Sequence, residues 1–370
     1  MTAITRQRRL YAALSCGSAL LAACGGGGTG PDDNSACRGL PVTHDSRNWS
    51  VSDLGRPAPI ISSLAYGVAG SFIAGEAQLD ASTYVGFRWT PDQAPVMLDP
   101  VPGDVQSFGH WVNRQGLVVG TSFGPGGTPR HGVAWRGSIT PDTAPVPGFT
   151  PGGVNDAGII VGSALFPGAA DLHAALWTPD GTVRDIGALA APANRTLGTA
   201  INDAGMVTGR IRILTTPTSE EAFVWSEHGG MVRLGLTGGA ASTVAGAINQ
   251  CGFVAGDAIF PGGAVNAKPW RWTPETGMVI LPLPADARIS FVVGIDSLGV
   301  VFGNVGIPTA TGDLRYHPYE WPGEGFVALP ERPDPTLVRG IDRCGVLIGS
   351  ALSGDVVTHS YSIVEWRAPC

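Results

Sequence analysis

Charge is scarce in this chain, and its scarcity narrows the field. Charged residues make up 14% of the 370 and apolar residues 44%, the reverse of the charge-rich composition of a disordered protein. Arginines are scattered singly and the net charge is −7, so the electrostatic footprint of a nucleic-acid binder is missing. Also missing is a run long enough to span a bilayer, since the apolar stretch 10–23 falls short of the roughly 20 residues required. The glycine cluster 25–28 lacks the Lys-Ser/Thr pair and the preceding strand of a phosphate loop. Inspection for a serine-nucleophile elbow or for converging metal ligands identifies neither. No metal and no cofactor are expected.

What is present begins with an address. "MTAITRQRRLYAALSCGSALLAAC" opens with Arg6, Arg8 and Arg9, runs through a short apolar core and ends on small residues, the pattern of a secretory signal peptide. Its end, "LAAC" (Leu21, Ala22, Ala23, Cys24), resembles the lipobox of bacterial lipoproteins at all four positions. That resemblance implies cleavage before Cys24 and lipidation of its thiol, hence a membrane partner reached through the anchor; an ordinary signal peptide with an incidental cysteine is the alternative. Stable anchoring takes more than one chain, at about 0.8 kcal/mol per buried methylene. The following "GGGGTGPDDNSA" reads as a flexible tether. Gly25 stands where the resemblance would place an inner-membrane retention Asp, so an outer-membrane lipoprotein is expected. The division is signal peptide 1–23, lipidated linker 24–45 and a repeat domain 46–370.

The repeat domain is legible because two markers keep one period. A glycine recurs at Gly75, Gly120, Gly162, Gly209, Gly256, Gly303 and Gly349, and downstream of each stands Trp89, Trp135, Trp177, Trp225, Trp272, Trp321 or Trp366. The spacing is about 46 residues, and such a period with four short strands per unit marks a propeller blade. Before each glycine runs an Asn/Asp-x-x-Gly turn, as in "INDAGMV". Its Asn or Asp (Asn113, Asn155, Asn202, Asn249, Asp296, Asp342) is expected to start a hairpin through an Asx turn. Its Gly (116, 158, 205, 252, 299, 345) supplies positive φ. The first copy, "GVAGSFIAG", has lost this turn. In the fourth repeat the strands are placed at 196–201, 205–211, 221–225 and 231–235. The connections between second and third strands are expected to be long, as at 121–130 and 304–316. The last copy stops without its fourth strand, while an orphan "WSVSDLG" (49–55) resembles "GTVRDIG" (181–187). The expectation is an all-β, seven-bladed propeller closed by an N-terminal strand, with no exposed sheet edge.

The strings "HGVAW" (131–135), "HAALW" (173–177) and "EAFVW" (221–225), following these turns, resemble the bacterial HAF-repeat family, named for a His-Ala-Phe motif before the Trp. The resemblance covers roughly residues 46–370. It implies an extracellular location and a repeat fold, and it brings no catalytic residues with it.

Candidate site residues come from one register. His131, His173, Glu221, Lys268 and His317 stand four places before their Trp, at the start of the third strand. They form either a ring of polar groups on a binding face or a set of groups that cap their own blades. Glu220 and Glu221 are adjacent, so a strand sends them to opposite faces, unlike a glycosidase pair. Of the cysteines that leave the signal and anchor aside, Cys37 and Cys370 flank the closing strands and are expected to form a clasp. Cys251 and Cys344 share a turn position two blades apart and pair only if those turns crowd the axis, since a disulfide needs Cα atoms within roughly 7 Å. Together these features lead to the expectation of a monomeric, envelope-anchored platform that binds an envelope protein or glycan. The rival is a hydrolase or lyase acting on envelope or extracellular polysaccharide, and a plain spacer is a third reading.

Overall fold

The computed structural model describes residues 49–55, 60–187, 193–213, 218–262, 266–323, 325–333, 336–342, 345–353 and 360–367. The signal peptide, Cys24, the linker, Cys37, Cys344 and Cys370 lie outside them. Strands, numbered β1–β28 in chain order, build seven four-stranded antiparallel sheets. Six sheets are meanders of four consecutive strands. The seventh runs in the order β1 (Ser50–Gly55), β28 (Ser360–Arg367), β27 (Leu347–Ser353), β26 (Thr336–Ile341). The N-terminal strand thus supplies the outer strand of the last blade, paired from Ser50↔Arg367 to Gly55↔Ile363. The innermost strands are β2 (Ser62–Ala69), β6 (Gln106–Val112), β10 (Thr150–Val154), β14 (Ala193–Ile201), β18 (Ser242–Ile248), β22 (Ile289–Ile295) and β26. Each packs on the preceding blade, and β2 packs on blade seven, so the ring closes. The chain is a seven-bladed propeller.

Each repeat marker has a local physical cause. At the recurring glycine an added Cβ would stand about on top of the neighbouring carbonyl of the innermost strand: 1.8 Å from Phe108 O at Gly120, 1.9 Å from Leu197 O at Gly209 and 2.0 Å from Leu337 O at Gly349. No side chain fits, so glycine is obligatory there. The turn glycines 116, 158, 205, 252, 299 and 345 all take φ between 76° and 81°. The turn asparagine works as an Asx turn: Asn113 Oδ1 accepts the N–H groups of Gln115 and Leu117 at 3.1 and 3.0 Å. In blade one the missing turn is replaced by a two-residue turn with Gly70 at φ 61°. The tryptophans fill the seams between blades, and Trp135, Trp321 and Trp366 are fully buried. At ~25 cal/mol per Å², burying roughly 200 Å² of such a ring contributes about 5 kcal/mol. Trp272 is the exception, half-buried beside a fully buried Trp270.

One expectation changes. The segments read as long connections are largely strand. Pairing of the second and third strands continues to Gly124↔Thr128 in blade two and to Pro308↔Leu314 in blade six. The glycines and Pro308 that break the sequence pattern sit inside an antiparallel ribbon, and the turns proper are 125–127 and 309–313. These hairpins rise at the end of the propeller where innermost strands start and outer strands finish.

Candidate functional site

That hairpin end carries the five residues predicted from the third-strand register, and the structure keeps them on separate blades. His131 Nδ1 lies 2.9 Å from Asp104 Oδ2, His173 Nδ1 2.7 Å from Asp185 Oδ2 and His317 Nδ1 2.6 Å from Glu331 Oε1. Glu221 takes both arms of Arg233, at 2.6 and 2.9 Å. The Lys268 ammonium stands 5.0 Å from the centre of the Phe260 ring. None of the five lines the axial cavity. Glu220 turns the other way from Glu221, to Arg210 and Arg212. On the same end stand exposed apolar side chains from five blade positions: Ile61, Val105, Leu165, Leu236 and Phe291, of which Val105 and Leu165 are 50% and 54% exposed.

One string escapes the sequence reading. GTSFG (120–124) fits the Gly-x-Ser-x-Gly pattern, and Ser122 shares a carboxylate with His131. Here, however, the string lies inside a β-strand (Val118–Gly124) rather than at a strand–turn–helix elbow. Ser122 is fully buried. Its hydroxyl donates to Asp104 Oδ2 at 2.6 Å, and its oxygen accepts the N–H of Val101. The aspartate sits between serine and histidine, so the imidazole has no access to the serine proton that a catalytic triad requires. The cluster anchors the connection between blades one and two. Burial pushes the Asp104 carboxyl up, but the bonds from Ser122 and His131 and the charges of His131 and Arg130 outweigh it and hold it below its ordinary value.

Around the axis, the turn asparagines do a second job that the Asx pattern does not reveal. Asn113 Nδ2 donates to Asn155 O at 3.0 Å, Asn155 to Asn202 O at 3.1 Å, Asn202 to Asn249 O at 2.9 Å and Asn249 to Asp296 O at 2.8 Å. A second tier runs in the same direction: the N–H groups of Arg114, Asp156 and Asp203 donate to the side chains of Asp156, Asp203 and Gln250 at 2.9, 2.8 and 3.0 Å. Burial and the neighbouring Asp156 push the Asp203 carboxyl up. The turns therefore crowd the axis. In this crowd Cys251 is disulfide-bonded, and the other five cysteines lie outside the described residues.

Deeper in the channel every innermost strand carries a β-bulge at one register, three residues before the turn position. A bulge adds an unpaired residue and re-aims its side chain. The seven residues are Tyr66, His110, Gly152, Thr199, Gly246, Val293 and Arg339. All but His110 line an axial cavity of about 250 Å³ that reaches to the turns. Blades seven, one and two supply one polar wall. The Arg339 guanidinium lies 5.5 Å from the centre of the Tyr66 ring, which meets the His110 ring edge-on at 5.5 Å. The Tyr66 hydroxyl donates to Glu76. Burial raises the Tyr66 phenol, with Glu76 adding to it, and burial raises the Glu76 carboxyl against the opposing pull of Tyr66 and Arg339. Burial also pushes the His110 imidazole down to about 4. At neutral pH this wall offers the Tyr66 phenol and the permanent cation Arg339, with the neutral His110 imidazole against the phenol ring and outside the cavity lining. Across the ring, blades three to five present Gly152, Thr199 and Gly246.

The position one place after the recurring glycine is polar in every blade, and in blades five and six it bonds the next blade. In blade six Asn304 exchanges two bonds with Val338, at 2.8 and 3.0 Å. In blade five Asp257 occupies that place. Its carboxylate accepts the Ser290 hydroxyl at 2.6 Å and the Val292 N–H at 2.8 Å, and burial nonetheless pushes it up to about 7. Among the described residues no group of three or more His, Cys, Asp or Glu is placed to hold a metal ion.

No family model matches the chain, and no curated protein matches it. Among solved structures it is similar to a streptogramin B lyase, with 12% identity, a TM-score of 0.47 and coverage of 87% of this chain and 98% of that one. It is also similar to TolB from Acinetobacter baumannii, at 14% identity and TM-score 0.41 over 70% of this chain and 65% of that one. A third is an acylaminoacyl peptidase from Pyrococcus horikoshii, at 9% identity and TM-score 0.49 over 85% and 53%. The likeness is one of fold alone.

Proposed function

We propose that the protein is an outer-membrane lipoprotein of the HAF-repeat kind, held by lipid on Cys24, whose propeller serves as a binding platform in the cell envelope. The contact face in this reading is the hairpin end. The observation that carries it is that five of the nine large apolar side chains exposed among the described residues, Ile61, Val105, Leu165, Leu236 and Phe291, stand at that end, one on each of five blades, an excess on one face that points to an interaction surface. The His–carboxylate and Arg–Glu pairs of the same end tie neighbouring segments together and hold fixed polar groups beside these apolar ones, and an interface uses both kinds. Crosslinking the tagged lipoprotein in living cells tests the platform, with Val105→Glu/Leu165→Glu as the control. The expected result is a reproducible partner that the charged variant loses. Equal capture by both proteins would move the contact face elsewhere. A Cys24→Ser variant is expected to leave the membrane fraction.

A further inference from the structure

Among the described residues Arg339 makes no direct ion pair, and the acid that acts on it, Glu76, does so through its field. Its side chain lines the axial cavity, and its Nε is buried with no hydrogen-bond acceptor. Among the described residues its contacts are the face of Tyr66 and the field of Glu76, and the Glu76 carboxylate is engaged by the Tyr66 hydroxyl. A guanidinium has five donors in a planar fork, and a desolvated donor without an acceptor is costly. The fold pins the residue there with a bulge and with Gly340, whose missing Cβ would stand 2.6 Å from Tyr66 O. The cation thus lines the cavity with its Nε unbonded and with the Glu76 charge acting on it only at a distance.

The opposite wall is made for something else to lie on. Gly152 is packed so tightly that a Cβ would meet Gly198 O at 2.1 Å. Gly246 is different: a Cβ there would meet only Val292 O, at 3.6 Å, and the residue is exposed to the channel. Its lack of a side chain is not demanded by backbone packing, and it leaves open space in the cavity. Thr199 between them has its hydroxyl committed to Ala245 O at 2.9 Å.

We propose that the axial cavity is a binding site for a small organic monocarboxylate, its two oxygens taken by the Arg339 fork and its body lying over Gly246. Planar, bidentate pairing is what a guanidinium offers a carboxylate. The cavity, at about 250 Å³, is smaller than the range for drug-sized ligands and suits a metabolite. At the turn end Asp156, Asp203 and Asp342 outnumber Arg114, and this excess of negative charge opposes a second anionic group, which selects monoanions over phosphate and dicarboxylates. This site is separate from the hairpin face and stands whether or not that face binds a partner.

Isothermal titration of the full chain with butyrate, benzoate, succinate and inorganic phosphate tests the proposal. The expected result is one-to-one binding of butyrate or benzoate, with succinate and phosphate weaker. Arg339→Gln should weaken that binding at least about tenfold, through loss of charge-assisted hydrogen bonds. Gly246→Leu fills the cavity from an open backbone position and should abolish binding in a protein whose urea midpoint confirms folding. Failure of both monocarboxylates to bind the wild-type chain, binding unchanged in Gly246→Leu, or phosphate binding more tightly would each overturn the assignment.

Discussion

Asp257 and Asn304 occupy the same place in adjacent blades, and the difference between them should be measurable as a pH-dependent instability. Asp257 is pushed up to about 7 from an ordinary 3.8. A carboxyl raised in the folded state holds its proton more tightly there than in the unfolded chain. Its contribution to stability is therefore complete below about pH 4 and is lost as pH rises through about 7. About three pH units at 1.36 kcal/mol each make a loss of about 4 kcal/mol by pH 8. Asp257→Asn removes the charge and supplies the amide that Asn304 already uses to bond Val338 in both directions; Val292 stands at the equivalent place before its own bulge. The variant should gain about 4 kcal/mol over wild type at pH 8. For the roughly 290 described residues at ~2.1 cal/mol/K each, that is a rise in Tm of about 6–7 °C. The assay is urea unfolding of both proteins from pH 4 to pH 8, read as the difference between them so that other titrating groups cancel. The difference should be near zero at pH 4 and grow with pH. A difference that stays constant, or a variant less stable at pH 8, would refute the account of Asp257.

Asp104 should show the opposite sign. Its carboxyl is held below its ordinary value, so Asp104→Asn should cost about 1–3 kcal/mol at pH 7, and the cost should fade as pH drops below about 3.8 in the same urea series. Asn202→Asp keeps the acceptor of the Asx turn but removes the donor to Asn249 O, and should lower stability by about 1–3 kcal/mol; an unchanged urea midpoint would mean the blade-to-blade bond contributes nothing. Reduction of the Cys251 disulfide should cost about 2–5 kcal/mol, and non-reducing peptide mapping should recover Cys251 in a crosslinked peptide while testing the Cys37–Cys370 clasp in the same run.

Much of the architecture was legible because it is repeated. The Gly that admits no Cβ, the Asn that closes an Asx turn and the Trp that fills a seam recur at one spacing, and seven recurrences fix the blade count. The closing strand was legible because "WSVSDLG" resembles another outer strand and fills a vacancy at the other end of the chain. The ribbons at 118–135 and 301–321 were not, because Gly, Pro and Thr there look like turn chemistry, while cross-strand pairing, a non-local property, decides the matter. The Asn113–Asn155–Asn202–Asn249 relay escaped for the same reason: a side chain's reach into the next blade is not written in its own repeat. The bulge residues left one faint signal. Within a frame that barely changes, the place three before the turn holds Tyr, His, Gly, Thr, Gly, Val and Arg. In a repeat protein the fold is written in what recurs, and individuality in the place that refuses to.

The amide relay also has a direction, and so the hub of this circle has two ends. Blade one offers Ala69 where an asparagine would begin the line, and blade six ends it with Asp296, a carboxylate with no N–H to hand on. At its centre the ring is a five-blade filament, blades two to six, bent round until its tips approach, with blade seven and blade one filling the gap. Filaments fray from their tips, so amide exchange should reach blades two and six, and the blades seven and one between them, before the middle of the arc. Arg339 and Tyr66 meet inside that gap, where blade seven adjoins blade one. A carboxylate bound there would act as a rivet, and the ring would be tightest when the site is full.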